Sequence, residues 1–193
     1  NHMGSVEEGE KLVENICQTN CDAVTVQFRE DLFYEENFNF TMPFDFYYRA
    51  SKKIKKSNKK FGVAISNIGM IDFFNNLNPD FYKLLSKDLE DHNFLRSASK
   101  KIEGKIYLST GMSSYEKIDE ALKILGPDVT LIHTSMSDDL EDVNLKAIQS
   151  MKERFNTKVA YGNHCKNLNA VYASLSFNPD DIFLYAKNSK KLS

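Results

Sequence analysis

GKIYLSTGMSSYEKIDEALKIL, residues 104–125, joins a β-rich run to an amphipathic helix through a short polar loop. The run 105–108 ends in Ser109-Thr110, then Gly111, and the helical pattern occupies 114–125. A strand whose C-terminal end delivers hydroxyls into a loop, with a helix after it, is how barrel enzymes place ligand-binding groups. In isolation the same three residues would read as a strand stop and a helix cap. The recurrence of the unit along the chain decides between these readings.

Working outward by period, 6–19 is helical, with Val6, Leu12, Val13, Ile16 and Cys17 on one apolar stripe. A buried strand, DAVTVQF, follows at 22–28, then a Phe/Tyr/Asn-rich loop over 31–45 and a basic helix over 46–60. Tyr47, Ala50 and Ile54 form that helix's inner face, and its lysines form a solvated one. Strands are expected at 62–66, 82–85, 105–108, 129–133, 158–161 and 181–185. Helices are expected at 71–77, 94–101, 114–125, 143–155 and 167–175. Seven strands alternating with helices, joined by turns such as Asn178-Pro179-Asp180, imply an α/β fold with a parallel sheet and right-handed crossovers. The choice is between a barrel and an open doubly wound sheet, and the lack of a Gly-rich phosphate fingerprint after the first strand argues against a Rossmann unit.

The chain has 193 residues, 41% hydrophobic and 27% charged, which suits one globular domain but is short of the ~250 of a full eight-fold barrel. A net charge of −2 gives no electrostatic case for nucleic acid or a membrane surface. No apolar run approaches the ~20 residues of a membrane-spanning helix, and no signal peptide is visible. Three cysteines (Cys17, Cys21, Cys165) without zinc-ligand spacing read as buried free thiols in a reducing cytoplasm.

An ordered set of segments resembles the catalytic barrel of the sialic acid synthases. Asn1-His2-Met3-Gly4 resembles N-H-x-G, Asp22-Ala23-Val24-Thr25-Val26-Gln27 resembles D-A-V-K-x-Q, and Lys83-Leu84-Leu85-Ser86-Lys87-Asp88-Leu89 resembles K-I-x-S-x-D-L. Leu108-Ser109-Thr110-Gly111-Met112 is that family's L-S-T-G-M unchanged. Leu131-Ile132-His133-Thr134-Ser135 with Glu141-Asp142-Val143-Asn144-Leu145 resembles L-L-H-C-T and E-D-V-N-L, and Tyr161-Gly162-Asn163-His164 resembles Y-S-D-H.

The resemblance implies a TIM-type (β/α)8 barrel, here apparently lacking its first strand, and a single partial-barrel domain over 1–193. It also implies that the family's C-terminal antifreeze-like domain is missing. The implied reaction joins phosphoenolpyruvate to an N-acetylhexosamine such as N-acetylmannosamine, with release of phosphate, in cytoplasmic synthesis of surface carbohydrate. Lys83, Ser86 and Ser109 match residues that hold phosphoenolpyruvate, and a lysine suits a ligand carrying phosphate and carboxylate. Gln27 matches a position facing the hexosamine, and Asn67 stands at the threonine of the family's S-T-P-F. The family's divalent metal, manganese or magnesium, polarises the sugar aldehyde as a Lewis acid and is held by two histidines, of which His164 matches one.

The departures are as informative. Thr25 replaces the lysine of D-A-V-K, Gly162 the serine and Asn163 the aspartate of Y-S-D-H. In the last strand the family's E-K-H-F-T reads Leu184-Tyr185-Ala186-Lys187-Asn188, without the catalytic glutamate and the second histidine. One imidazole alone rarely holds a labile divalent ion, so loss of the metal site is expected. Two readings follow: a divergent synthase whose catalytic residues are not assignable, and a catalytically dead relative that binds a phosphorylated ligand or an active synthase. A homodimer or a partner chain could complete the barrel.

Overall fold

In the computed structural model residues 4–187 are described; His2, Asn188 and the other terminal residues lie outside them. Among the described residues the chain divides into two compact units, residues 4–82 with 186–187, and residues 83–185.

The first unit alternates helix and strand from the start: α1 (Val6–Cys17), β1 (Ala23–Phe28), α2 (Asp31–Glu36), α3 (Phe44–Lys56), β2 (Lys60–Ile65) and α4 (Ile71–Asn75). Ser5 caps α1 by accepting the Glu8 amide at 3.2 Å. Strands β1 and β2 pair in parallel, from Ala23 opposite Lys60 to Phe28 opposite Ile65. Helix α3 buries Phe46, Tyr47, Ala50, Ser51 and Ile54, which contains the expected inner face. Its lysine side is exposed as expected, and Lys53 and Arg49 pair with Glu14 and Glu10 of α1. The core is aromatic, with Phe28, Tyr47 and Phe74 in mutual edge or tilted contact.

Strand β3 (Phe81–Leu84) runs across the boundary between the units. The second unit continues with α5 (His92–Lys101), β4 (Lys105–Ser109), α6 (Tyr115–Leu125), β5 (Val129–Thr134), α7 (Lys146–Phe155), β6 (Val159–Asn163), α8 (Asn169–Ser174) and β7 (Ile182–Leu184). Strands β4 to β7 are parallel neighbours in chain order. Every residue of β5 is buried, as a central parallel strand covered on both faces requires. In the quoted stretch Ser114 Oγ accepts the Lys117 amide at 3.4 Å and starts α6, so Ser114 serves the helix while Ser109 stays at the strand end.

One turn is used twice. Asn78 and Asn178 both take the left-handed conformation before a proline and an aspartate. Asp80 Oδ2 then accepts the Phe61 amide at 2.8 Å, and Asp180 Oδ2 the Val159 amide at 2.9 Å. In each case a lysine from the preceding unit of helix, Lys55 or Lys152, donates to the asparagine carbonyl at 2.7 and 2.6 Å. The device fixes where β3 and β7 begin.

The differences from expectation are local. The segment 31–45 is not all loop: it contains α2, a 3-10 turn at Phe38–Phe40 and the first residues of α3. Helix α2 has no buried residue, so it carries no apolar period to read. Helix α7 starts at Lys146, after a 3-10 turn at Leu140–Asp142, rather than at 143. Of the three free thiols only Cys165 is buried; Cys17 and Cys21 are half-buried.

Candidate functional site

The second unit carries its candidate residues at the C-terminal ends of its strands, the end at which barrel enzymes bind ligands. Lys83 is the third residue of β3, Ser86 opens the 3-10 turn beyond it, Ser109 closes β4, and His164 follows β6. Parallel strands in chain order put these ends side by side, which is why residues far apart in the sequence can share a site.

Close backbone approach defines the loop after β4. The Gly111 amide donates to Ser86 Oγ at 3.1 Å, and a Cβ on Gly111 would lie 3.0 Å from both Ser86 Oγ and Thr134 Cγ2. A side chain at the glycine of L-S-T-G-M would therefore be tightly crowded. Thr110 Oγ1 donates to the Ile132 carbonyl at 3.1 Å, and the Thr110 amide reaches the same oxygen at 3.1 Å. Thr110 is thus a strap between the ends of β4 and β5. Ser109 beside it is buried.

Lys83 is 6% exposed, and its ammonium donates to Tyr185 Oη at 2.9 Å. The rings of Tyr185 and Phe183 lie 5.1 and 5.5 Å from the ammonium. Among the described residues no carboxylate lies within 4.0 Å of it. An ammonium taken from water and given only a phenol and aromatic faces is short of counter-charge, and an anion arriving there is stabilised.

His164 packs on Tyr185, ring centres 4.3 Å apart and planes at 36°. Burial holds its pKa below the ordinary imidazole value; the Lys83 cation pushes the same way and Asp138 opposes them. The ring is therefore neutral at pH 7. His133 is also held low by burial, and its Nε2–H donates to the Val143 carbonyl at 2.8 Å, which makes it a fold residue tying β5 to the following turn. Tyr161 Oη donates to Asn163 Oδ1 and Asn163 Nδ2 donates to the Cys165 carbonyl, both at 2.8 Å. Burial, with a contribution from Cys165, pushes the Tyr161 phenol up to about 12.

Gln27 and Asn67 belong to the first unit. Gln27 is exposed on β1, and Thr25, in the place of a family lysine, is half-buried. Asn67 is engaged at both ends of its amide: Nδ2 donates to Asp31 Oδ1 at 2.8 Å, and Oδ1 accepts the Gly69 amide at 3.0 Å.

The described residues do not fit a divalent metal. No group of three or more His, Cys, Asp or Glu side chains among them could hold one. Burial of His164, the one matching histidine, and then the Lys83 charge disfavour positive charge on its ring, with Asp138 acting the other way. Sequence reasoning missed Tyr185. Its signal was an aromatic at the end of the last strand, which reads first as a lost lysine of E-K-H-F-T.

Residues 11–178 match the model of the NeuB family. The chain belongs to the NeuB family. Among curated NeuB relatives it is 30% identical over 94% of its length to an uncharacterized protein of Methanocaldococcus jannaschii, covering 58% of that protein. It is 25% identical over 91% of its length to N,N'-diacetyllegionaminic acid synthase of Campylobacter jejuni, covering 61% of it. The chain thus spans about six-tenths of these relatives. It superposes over its full length, with a TM-score of 0.90 and 18% identity, on 72% of an N-acetylneuraminic acid synthetase from Leptospira borgpetersenii. A truncated 3-deoxy-D-arabino-heptulosonate 7-phosphate synthase from Thermotoga maritima matches at a TM-score of 0.74 and 8% identity, covering 98% of this chain and 74% of that one. The expected fold class, α/β of TIM type with seven strands, is the observed one. Among the described residues no helix is long and apolar enough to cross a membrane.

Proposed function

We propose that this NeuB chain binds phosphoenolpyruvate through Lys83, Ser86 and Ser109. On this reading it acts as a divergent nonulosonic acid synthase, joining C3 of phosphoenolpyruvate to the aldehyde carbon of an N-acetylhexosamine such as N-acetylmannosamine. Water supplies the oxygen at C2 and inorganic phosphate leaves. The reaction belongs to cytoplasmic synthesis of surface carbohydrate. One observation carries the reading: a buried ammonium at a strand end with no carboxylate beside it among the described residues. Ser86 opens the turn after β3 and Ser109 ends β4, and hydroxyls at strand ends together with a cation suit a phosphate monoester.

The second reading is a pseudoenzyme that keeps the anion site without turnover. Leu184 and Ala186 in place of the family's glutamate and histidine favour it, as does the poor fit of the described residues to a metal.

The deciding assay follows phosphate release from phosphoenolpyruvate with N-acetylmannosamine and manganese present or omitted. Release that needs both substrates supports the synthase. Phosphoenolpyruvate held without release supports the pseudoenzyme, and failure to bind it removes both.

A further inference from the structure

We propose that Tyr185 is an anion-binding residue of the Lys83 site, its hydroxyl forming with the Lys83 ammonium a two-donor seat for a phosphate or carboxylate group. The inference deepens the reading above and rests on it.

The phenol oxygen accepts from Lys83 at 2.9 Å and keeps its own O–H to give. An O–H whose oxygen already accepts from a cation is polarised and becomes a stronger donor. Together the two side chains present a positive charge and an activated hydroxyl. That is the donor set a planar carboxylate or a phosphate oxygen needs. The ring is held for the purpose by His164, 4.3 Å away.

Exposure separates the two partners. Lys83 is 6% exposed and Tyr185 53%, so a ligand from solvent meets the phenol before the ammonium. The pair spans 102 residues of chain, from β3 to just past β7. If Tyr185 only plugged the lysine, it would compete with an anion for the same N–H groups. The two roles predict opposite effects of removing the hydroxyl.

The test is calorimetric titration of inorganic phosphate, and separately of phosphoenolpyruvate, into the purified chain and its Tyr185→Phe variant. Phenylalanine keeps the ring against His164, and a thermal melt confirms that the variant is folded. The expected result is a dissociation constant raised roughly tenfold or more for whichever anion binds, since hydrogen bonds to charged groups are worth about this much. Equal or tighter binding by Tyr185→Phe overturns the seat and leaves the substrate reading intact. Phosphate bound through Tyr185, with phosphoenolpyruvate refused, removes the substrate reading and keeps the seat. Neither anion held by the wild-type chain overturns the seat and the substrate reading together.

Discussion

The Gly111 amide donates to Ser86 Oγ at 3.1 Å, and a side chain at Gly111 would come within 3.0 Å of that same oxygen and of Thr134 Cγ2. One relationship therefore crowds any side chain at 111 and orients the Ser86 hydroxyl. Replacing Gly111 by Ala pushes against Ser86 Oγ, in the turn after β3, and against Thr134, the last residue of β5. Overpacking of this kind costs about 1–3 kcal/mol. Gly111→Ala is expected to lower the melting temperature and to weaken phosphoenolpyruvate binding, whereas Ser86→Ala weakens binding with a smaller stability loss. Melts and titrations on both variants check this. Equal melting temperatures for wild type and Gly111→Ala would show that the loop has room to give.

Asn163 stands where the family has aspartate, and its amide is used at both ends. Oδ1 accepts from Tyr161 and Nδ2 donates to the Cys165 carbonyl. An aspartate would keep the first bond and turn the second into a carboxylate facing a carbonyl oxygen. Asn163→Asp, although a step back toward Y-S-D-H, is expected to destabilise the chain by about 1–3 kcal/mol at pH 7. Chemical denaturation at neutral pH measures it. A neutral or stabilising effect would mean that the Cys165 carbonyl finds another donor.

The strands were legible because parallel strands covered on both faces are nearly continuous apolar runs, as in Val129–Thr134. Helix α2 was not, since six residues with none buried leave no period. Lys83, Ser86 and Ser109 were legible from ordered motifs, and their common placement at strand ends follows from the topology. Tyr185 was not legible, because its meaning lies in a partner 102 residues away. Comparison with a motif reports what a position has lost; only geometry reports what its new side chain does. Asn163 makes the same point on a smaller scale, as it reads as a lost acid and is found to be a two-way clasp.

Burial sets a pH dependence through His133. Its pKa in the folded chain is lowered from 6.5, with a hydrogen bond to the Val143 carbonyl opposing the shift. Below pH 6.5 the unfolded chain therefore takes up a proton that the folded chain refuses, and stability falls as the pH drops. Above about pH 7 the imidazole is neutral in both states and contributes no slope. The denaturation midpoint is expected to fall between pH 7.5 and 5.5, with His164 adding in the same direction. His133→Gln, which keeps an N–H for Val143, should show a shallower fall. Identical slopes for the two proteins would assign the dependence elsewhere.

Metal dependence is the sharpest separation between ancestry and present chemistry. In the described residues His164 has a buried lysine for a neighbour, and that lysine already disfavours a proton on the imidazole. The field that repels a proton repels a divalent ion more strongly, because the interaction scales with the charge. With no cluster of three acidic, histidine or cysteine side chains among the described residues to offset this, manganese has little to hold it. Phosphoenolpyruvate binding is accordingly expected to change by less than about twofold between EDTA and excess manganese, since its proposed anchor is the Lys83 ammonium. Calorimetry in the two buffers tests this directly, with Lys83→Met as the variant that should lose binding in both. Tightening by tenfold or more with manganese would mean that the bound ligand itself supplies the oxygens that complete a metal site, and His164 would then be a ligand despite its lysine neighbour.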